Sequence, residues 1–237
     1  MEEIYPYVNG FKFIKGENLL SEYQLELNDI SEFKTFFDNN VKPDPYSPVR
    51  VRGMLKVEYY YISRKIAKSK IQSYFASGRA NDLNGGMCRT FNVIDESLLR
   101  NSTFRAIFSQ HESLIREYCE VNDVQKANIS IHFIRYQVKE GEASYSSPVW
   151  LHQDDEPLVF IHLVQLTENA LGADNVISGL DDLPTNVIRL TNFMDCLIVD
   201  PTLKHAVTPT GSIEGTAHRD VMLINLENPS QQVYGDY

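Results

Sequence analysis

From Asn128 to Leu226 short runs of Ile, Val, Leu and Phe are separated by Gly, Pro, Asn and Asp, the rhythm of strands joined by turns. Strands are predicted over 129–138, 149–154, 157–166, 175–178, 187–190, 196–199, 205–207 and 219–226. So many short strands suit a jelly-roll or a related closed barrel. Before Asn128 the pattern is mixed and partly helical. Asp29 followed by Glu32 has the spacing of a capping box, and Ile30, Phe33, Phe36 and Phe37 recur at helical intervals until Asn39 and Asn40. Three prolines in 41–48 (Pro43, Pro45, Pro48) predict an extended surface connection, because each removes a backbone donor and fixes φ. Ser102 can cap a second helix, whose stripe of Phe104, Ile107, Phe108, Ile115 and Tyr118, with His111 on the same face, is expected to pack on a sheet. The pattern reads as one domain over 1–237. Its mixed, partly helical part, 1–127, flanks a β core at 128–228, and the polar tail after Asn228 is expected to fray.

With 237 residues, 43% of them hydrophobic and 23% charged, the chain can bury a full core. Its net charge of −10, with no stretch that concentrates Lys and Arg, would repel a polyanion, so nucleic acid is not an expected partner. No apolar run approaches the roughly eighteen residues that a membrane span needs. Cys88, Cys119 and Cys196 form no metal-type pair, and an odd count behind a start that lacks a signal-like apolar run points to a reducing cytoplasm.

The chemistry concentrates in Trp150-Leu-His-Gln-Asp-Asp-Glu-Pro157. On a strand, period-two alternation puts His152 and Asp154 on one face. A 2-His-1-carboxylate facial triad, which leaves iron(II) three positions for cosubstrate and O2, needs one more histidine. His205 supplies it, 51 residues beyond Asp154 (205 − 154) and at the head of a later strand. Fourteen residues further (219 − 205) Arg219 opens the alternating run Arg-Asp-Val-Met-Leu-Ile-Asn-Leu, where a guanidinium can grip a carboxylate through two parallel hydrogen bonds. Each signal alone has a bland explanation in surface or core histidines; their order and spacing together point to the triad. Zinc also accepts two histidines and a carboxylate, as in zinc hydrolases, but Arg219 argues against that use.

The stretch from Ser146 to Leu226, with Ser-Ser-Pro-Val-Trp-Leu-His-Gln-Asp-Asp-Glu-Pro, Leu-Gly-Ala-Asp-Asn, His-Ala-Val-Thr-Pro and His-Arg-Asp, closely resembles the bacterial Fe(II)/2-oxoglutarate-dependent dioxygenases that hydroxylate free L-amino acids, the L-isoleucine 4-hydroxylase-like family. Met87-Cys-Arg-Thr-Phe-Asn92 and Ile134-Arg-Tyr-Gln137 are similar to family segments as well. The resemblance implies a mainly β fold with flanking helices, a double-stranded β-helix of the cupin-like, jelly-roll type. It implies His152, Asp154 and His205 as iron ligands, Arg219 on the distal carboxylate of 2-oxoglutarate, and O2 as the other cosubstrate. Where the family has paired glycines before Asp-Asn, this chain has Gly172-Ala173.

Arg135-Tyr136 followed by Gly141 is similar to the Arg-Tyr, Gly, His-X-Asp order of prolyl hydroxylases, which implies a hydrogen bond from Tyr136 to the cosubstrate; packing into the barrel wall is the other reading. Arg89 and Arg135 are candidates for the carboxylate of an amino-acid substrate, and Asp155 or Glu156 for its ammonium, each set against an ordinary ion pair or a solvated charge. Asp174-Asn175 reads equally as turn chemistry. His111, His132 and His162, without a partner at ligand spacing, read as structural, and His218 should face away from the metal. The resulting expectation is an oxidoreductase acting on a small free L-amino acid, aliphatic or thioether in type. Its rival is a non-catalytic, cupin-like module that binds or senses a small carboxylate. A homo-oligomer is left open.

Overall fold

The computed structural model describes residues 10–81 and 83–228; the polar tail read after Asn228 lies outside them. In chain order come β1 (Phe11–Ile14), α1 (Gly16–Glu22), α2 (Leu27–Asn40), β2 (Lys42–Pro43), β3 (Arg50–Tyr60), β4 (Lys65–Lys68), β5 (Tyr74–Ala76), β6 (Met87–Arg89), β7 (Asn92–Val93), a 3-10 turn (Glu96–Arg100) and α3 (Ser102–Val121). Then follow β8 (Lys126–Lys139), β9 (Leu158–Leu166), β10 (Ala170–Gly172), β11 (Asn175–Ser178), β12 (Pro184–Ile188), β13 (Cys196–Val199), β14 (Lys204–Val207), β15 (Thr210–Ser212) and β16 (Thr216–Leu226). The largest sheet runs β1-β13-β9-β16-β8-β3-β2, with β4 and β7 also paired to β3. Facing it are β12-β11-β14 and the pair β10-β15. This is the expected double-stranded β-helix with flanking helices.

Alternation explains the layers. On β8, Ile129, Ile131 and Phe133 pack outward with the helices, while Ile134 and Tyr136 face the barrel interior. Antiparallel register carries each face across the sheet: Arg50 pairs with Tyr136 and Tyr136 with Arg219, while Arg52 pairs with Ile134 and Ile134 with Val221. Phe33 and Phe37 of α2 close the outer layer on Phe133, the second stacked at 4.8 Å between ring centroids.

The structure corrects several expectations. The capping box of α2 is formed by Glu26 and Asp29, not by Asp29 and Glu32, so the helix begins earlier. Asn101, not Ser102, caps α3 by accepting from the Phe104 amide, and the Ser102 hydroxyl donates to Asp29. The segment 149–154 is no strand; it bends, and only His152 forms an isolated bridge. Residues 50–60, read within the mixed part, form the long central strand β3. Gly172 and Ala173 both hold φ in the left-handed region, at +66° and +64°. A Cβ on Gly172 would meet the Pro209 carbonyl oxygen, so that position needs glycine, whereas alanine bears the strain at the second. No helix among the described residues is long and apolar enough to cross a membrane, and Cys88, Cys119 and Cys196 form no disulfide.

His111 of α3 and His162 of β9, read as structural, form a buried pair: their Nε2 atoms lie 2.9 Å apart in the outer core, with the Cys196 Sγ 3.9 Å from His111. One neutral ring donates to the other. Burial pushes the His162 pKa down to about 4, and the His111 pKa is lowered by burial and then by its neighbour. Below its ordinary pKa the unfolded chain binds protons that these rings refuse. Their contribution to stability is therefore complete above about pH 6.5 and declines as pH falls toward 4, by about 3 kcal/mol for His162 alone. In urea titrations with chelator present, stability should fall more steeply over this interval in the wild type than in His111→Phe/His162→Leu; equal slopes would contradict the assignment.

Candidate metal centre and cosubstrate pocket

His152 and His205 are brought together by backbone before side chains matter. The His152 amide donates to the His205 carbonyl at 3.0 Å and the His205 amide to the His152 carbonyl at 2.9 Å, a closed two-bond ring beside β14. Asp154 follows in the same loop. Its Oδ1 lies 3.4 Å from His152 Nε2 and its Oδ2 3.4 Å from His205 Nε2. The three side chains offer one ligand atom each within 4.8 Å of one another. The His152 Nδ1 sits 2.9 Å from the Trp150 carbonyl oxygen, so Nδ1–H donates there and Nε2 keeps its lone pair for a cation. Two imidazoles and one carboxylate converging on one point, with one tautomer set from behind, fit a bound iron(II).

The electrostatics agree with that donor set. Burial pushes the Asp154 carboxyl up, but His205 and His152 outweigh it and hold it below the usual carboxylate range. For His152 burial lowers the pKa, yet the hydrogen bond and charge of Asp154 raise it on balance; for His205 burial prevails. An anionic aspartate beside imidazoles with free Nε2 atoms is what a divalent cation would meet.

Behind this cluster a cavity runs into the barrel between apolar walls that include Ile134, Val159, Ile161 and Val221. Arg219 projects into it, 3% exposed, its guanidinium 5.8 Å from the Tyr136 ring centre and its Nη2 without a hydrogen-bond partner. Burial lowers its pKa from an ordinary value so high that it stays charged. An unpartnered buried guanidinium fits the distal carboxylate of 2-oxoglutarate.

The structure divides the remaining candidates. Arg89, Tyr136 and Glu156 line the same cavity, and Glu156 accepts a 2.8 Å hydrogen bond from the Tyr74 hydroxyl. Burial, followed by the nearby Asp154 charge, raises the Glu156 pKa. Arg135 is not at the site: it has the opposite parity to Tyr136, so it faces α2 and pairs with Asp220 at 2.7 Å and Asp38 at 2.6 Å. Asp155 also turns away, accepting from the Ser77 amide and hydroxyl at 2.7 and 2.9 Å. His218 faces Asp220, 3.6 Å away and off the cavity, as its parity required. Asp174 accepts through its carbonyl from the Thr208 amide and Asn175 donates to Ile188, which are turn and strand contacts. Sequence reading missed Arg50, Arg52 and Tyr74 in the cavity wall. The available signal was period-two spacing of Arg50 and Arg52 beside Val51.

Residues 35–225 match the family described as 2OG-Fe dioxygenase. The chain is 33% identical over 233 residues to 3(1)-hydroxy-L-isoleucine 4-dioxygenase of Pantoea ananatis (strain AJ13355), covering 94% of each chain. It is 32% identical over 186 residues to L-isoleucine-4-hydroxylase of Bacillus thuringiensis, covering 78% of each. The crystal structure of IDO from Bacillus thuringiensis superimposes with a TM-score of 0.78 at 26% identity, over 93% of this chain and 90% of that one.

Proposed function

The chain belongs to the 2OG-Fe dioxygenase family, and from that premise we propose that it hydroxylates, or oxygenates at sulfur, a free L-amino acid with an aliphatic or thioether side chain. As a family member it is an oxidoreductase that uses iron(II), 2-oxoglutarate and O2. The observation that carries the residue assignment is the convergence of His152, Asp154 and His205 at a cavity that also contains Arg219. In this reading the three ligands hold iron, Arg219 holds the far carboxylate of 2-oxoglutarate, and Tyr136 supports that end. When bound, the metal and its cosubstrates supply an oxidant for an unactivated C–H bond, with one oxygen atom passing to the substrate and the other to succinate as CO2 leaves. The chain's own part is position and exclusion of water. Ile134, Val159, Ile161 and Val221 offer an apolar wall for a side chain; Arg89 offers a charge for the carboxylate of a zwitterion, and Glu156, whose anion burial disfavours until a cation arrives, an acceptor for its ammonium.

The two curated relatives are named for isoleucine-type substrates, which supports an amino acid here. Selectivity among aliphatic side chains should be shallow, since one methylene in an apolar pocket is worth about 1–3 kcal/mol. Purified protein with iron(II), 2-oxoglutarate and O2 is expected to form succinate and to add one oxygen atom to several free amino acids at graded rates, methionine included in the panel, as read by mass spectrometry. N-acetylated or amidated forms should fail. Efficient oxidation of a blocked amino acid or a peptide, with no product from any free amino acid, would sink this reading.

A further inference from the structure

Arg52, Arg89 and Arg219 line the cavity at 6%, 2% and 3% exposure, and none has a carboxylate within 4.0 Å among the described residues. The other well-buried arginine of this wall, Arg50, is paired with Asp44 at 3.0 Å. A guanidinium charge kept out of water without a counter-ion is costly, so a site that holds three of them is built to receive anions. The distal carboxylate of 2-oxoglutarate accounts for one, at Arg219. Two guanidiniums remain.

Those two stand together and apart from Arg219. Both lie against the same pair of rings, Arg52 at 5.8 Å from Tyr74 and 4.0 Å from Phe91, Arg89 at 5.2 and 6.0 Å. Arg219 instead lies against Tyr136. In register, Arg52 on β3 and Val221, two residues beyond Arg219 on β16, are separated by β8, roughly 10 Å across two strand spacings. Arg52 is also aimed. Its Nη2 donates to Nδ1 of the fully buried His132 at 2.9 Å, a neutral acceptor that fixes the guanidinium without cancelling its charge, and its Nε is left without a partner, as is that of Arg89. The Tyr74 ring that both guanidiniums face carries at its hydroxyl the hydrogen bond to Glu156, whose carboxylate has no cation within 4.0 Å among the described residues.

We propose that Arg52 and Arg89 form a two-armed anchor for the α-carboxylate of the substrate, with Glu156 at the far edge of Tyr74 accepting from its ammonium. The inference rests on the amino-acid reading above and adds to it a residue, Arg52, and a positioning partner, His132. An α-carboxylate has two oxygens and can take one guanidinium on each, so two arms hold its plane as well as its place. The side chain then has one direction left, toward the metal cluster.

The test uses the holoenzyme with iron(II) and 2-oxoglutarate and compares wild type, Arg52→Gln, Arg89→Gln, Arg52→Lys and Arg89→Lys on the best free amino acid found and on its amide. Each Gln variant should raise KM for the amino acid by about tenfold or more, while KM for 2-oxoglutarate moves far less. Preference for acid over amide should shrink by a similar factor, and succinate should form in excess of hydroxylated product. The Lys variants, which keep the charge and lose the fork, should recover part of the loss and serve if a Gln variant does not fold. An unchanged amino-acid KM in the variants, or a rise in the 2-oxoglutarate KM instead, overturns the anchor alone. If the wild type makes no product from any free amino acid, the amino-acid reading fails and the anchor with it.

Discussion

His152→Ala, Asp154→Ala and His205→Ala are each expected to reduce iron-dependent turnover to background, because each removes one of the three ligand atoms the chain brings together. The loss should appear both as iron retained after gel filtration and as succinate formed at saturating iron, since affinity and geometry go together. The fold should survive. The ring between His152 and His205 is made by backbone amides and carbonyls, which alanine keeps, so melting temperatures of the metal-free variants should lie close to that of the metal-free parent. Near-normal activity in any two of the three variants would end the assignment.

The second large effect is expected at Arg219. Arg219→Ala should raise the apparent KM for 2-oxoglutarate by a factor corresponding to about 2–5 kcal/mol, the cost of leaving a desolvated carboxylate without its partner. Arg219 is buried with an unpartnered Nη2, so little in the unliganded protein depends on its charge, and the substitution should be felt mainly in cosubstrate binding. Arg219→Lys should recover only part of the affinity, for lysine presents a point charge where the guanidinium presents a planar fork. Titration of 2-oxoglutarate at fixed substrate separates the outcomes, and an unchanged dependence would take Arg219 out of the site.

The cluster of His152, Asp154 and His205 was legible because its residue types are scarce and their order is informative, even though the strand assumed for two of them is a bending loop. Val149 and Trp150 look like the start of a strand, but they are 43% and 52% exposed on a bending loop. Hydrophobicity there does not report burial. Conversely, β3 escaped notice because its inward positions set Arg50, Arg52 and Lys56 around a single Met54, and those charged groups face the cavity or the buried Glu227. Its apolar alternates, Val51, Leu55, Val57 and Tyr59, face the helices, so the period of two was present with the usual meaning of its faces reversed. Arg135 was misplaced for the simplest reason: adjacent residues of a strand cannot both enter one barrel. The His111 and His162 pair was hidden by sequence separation, since their helix and strand meet only in the folded chain. Glu156 and Arg89, singled out by charge and neighbourhood, do line the cavity, whereas the place of Arg52 in its wall depends on β3 lying beside β8.

The backbone ring that joins His152 and His205 separates two kinds of inheritance. Between Asp154 and His205 the chain makes a long excursion through β9 to β13, including the turn after Ser178 where Leu180 and Leu183 stand exposed. Within it β11 pairs with β14, Ile177 opposite His205, and so helps to seat the second histidine, whereas residues 179–183 form an exposed turn outside that pairing. Descendants of this sequence are therefore free to lengthen, shorten or redecorate that turn, while the strands on either side keep His152 and His205 in register.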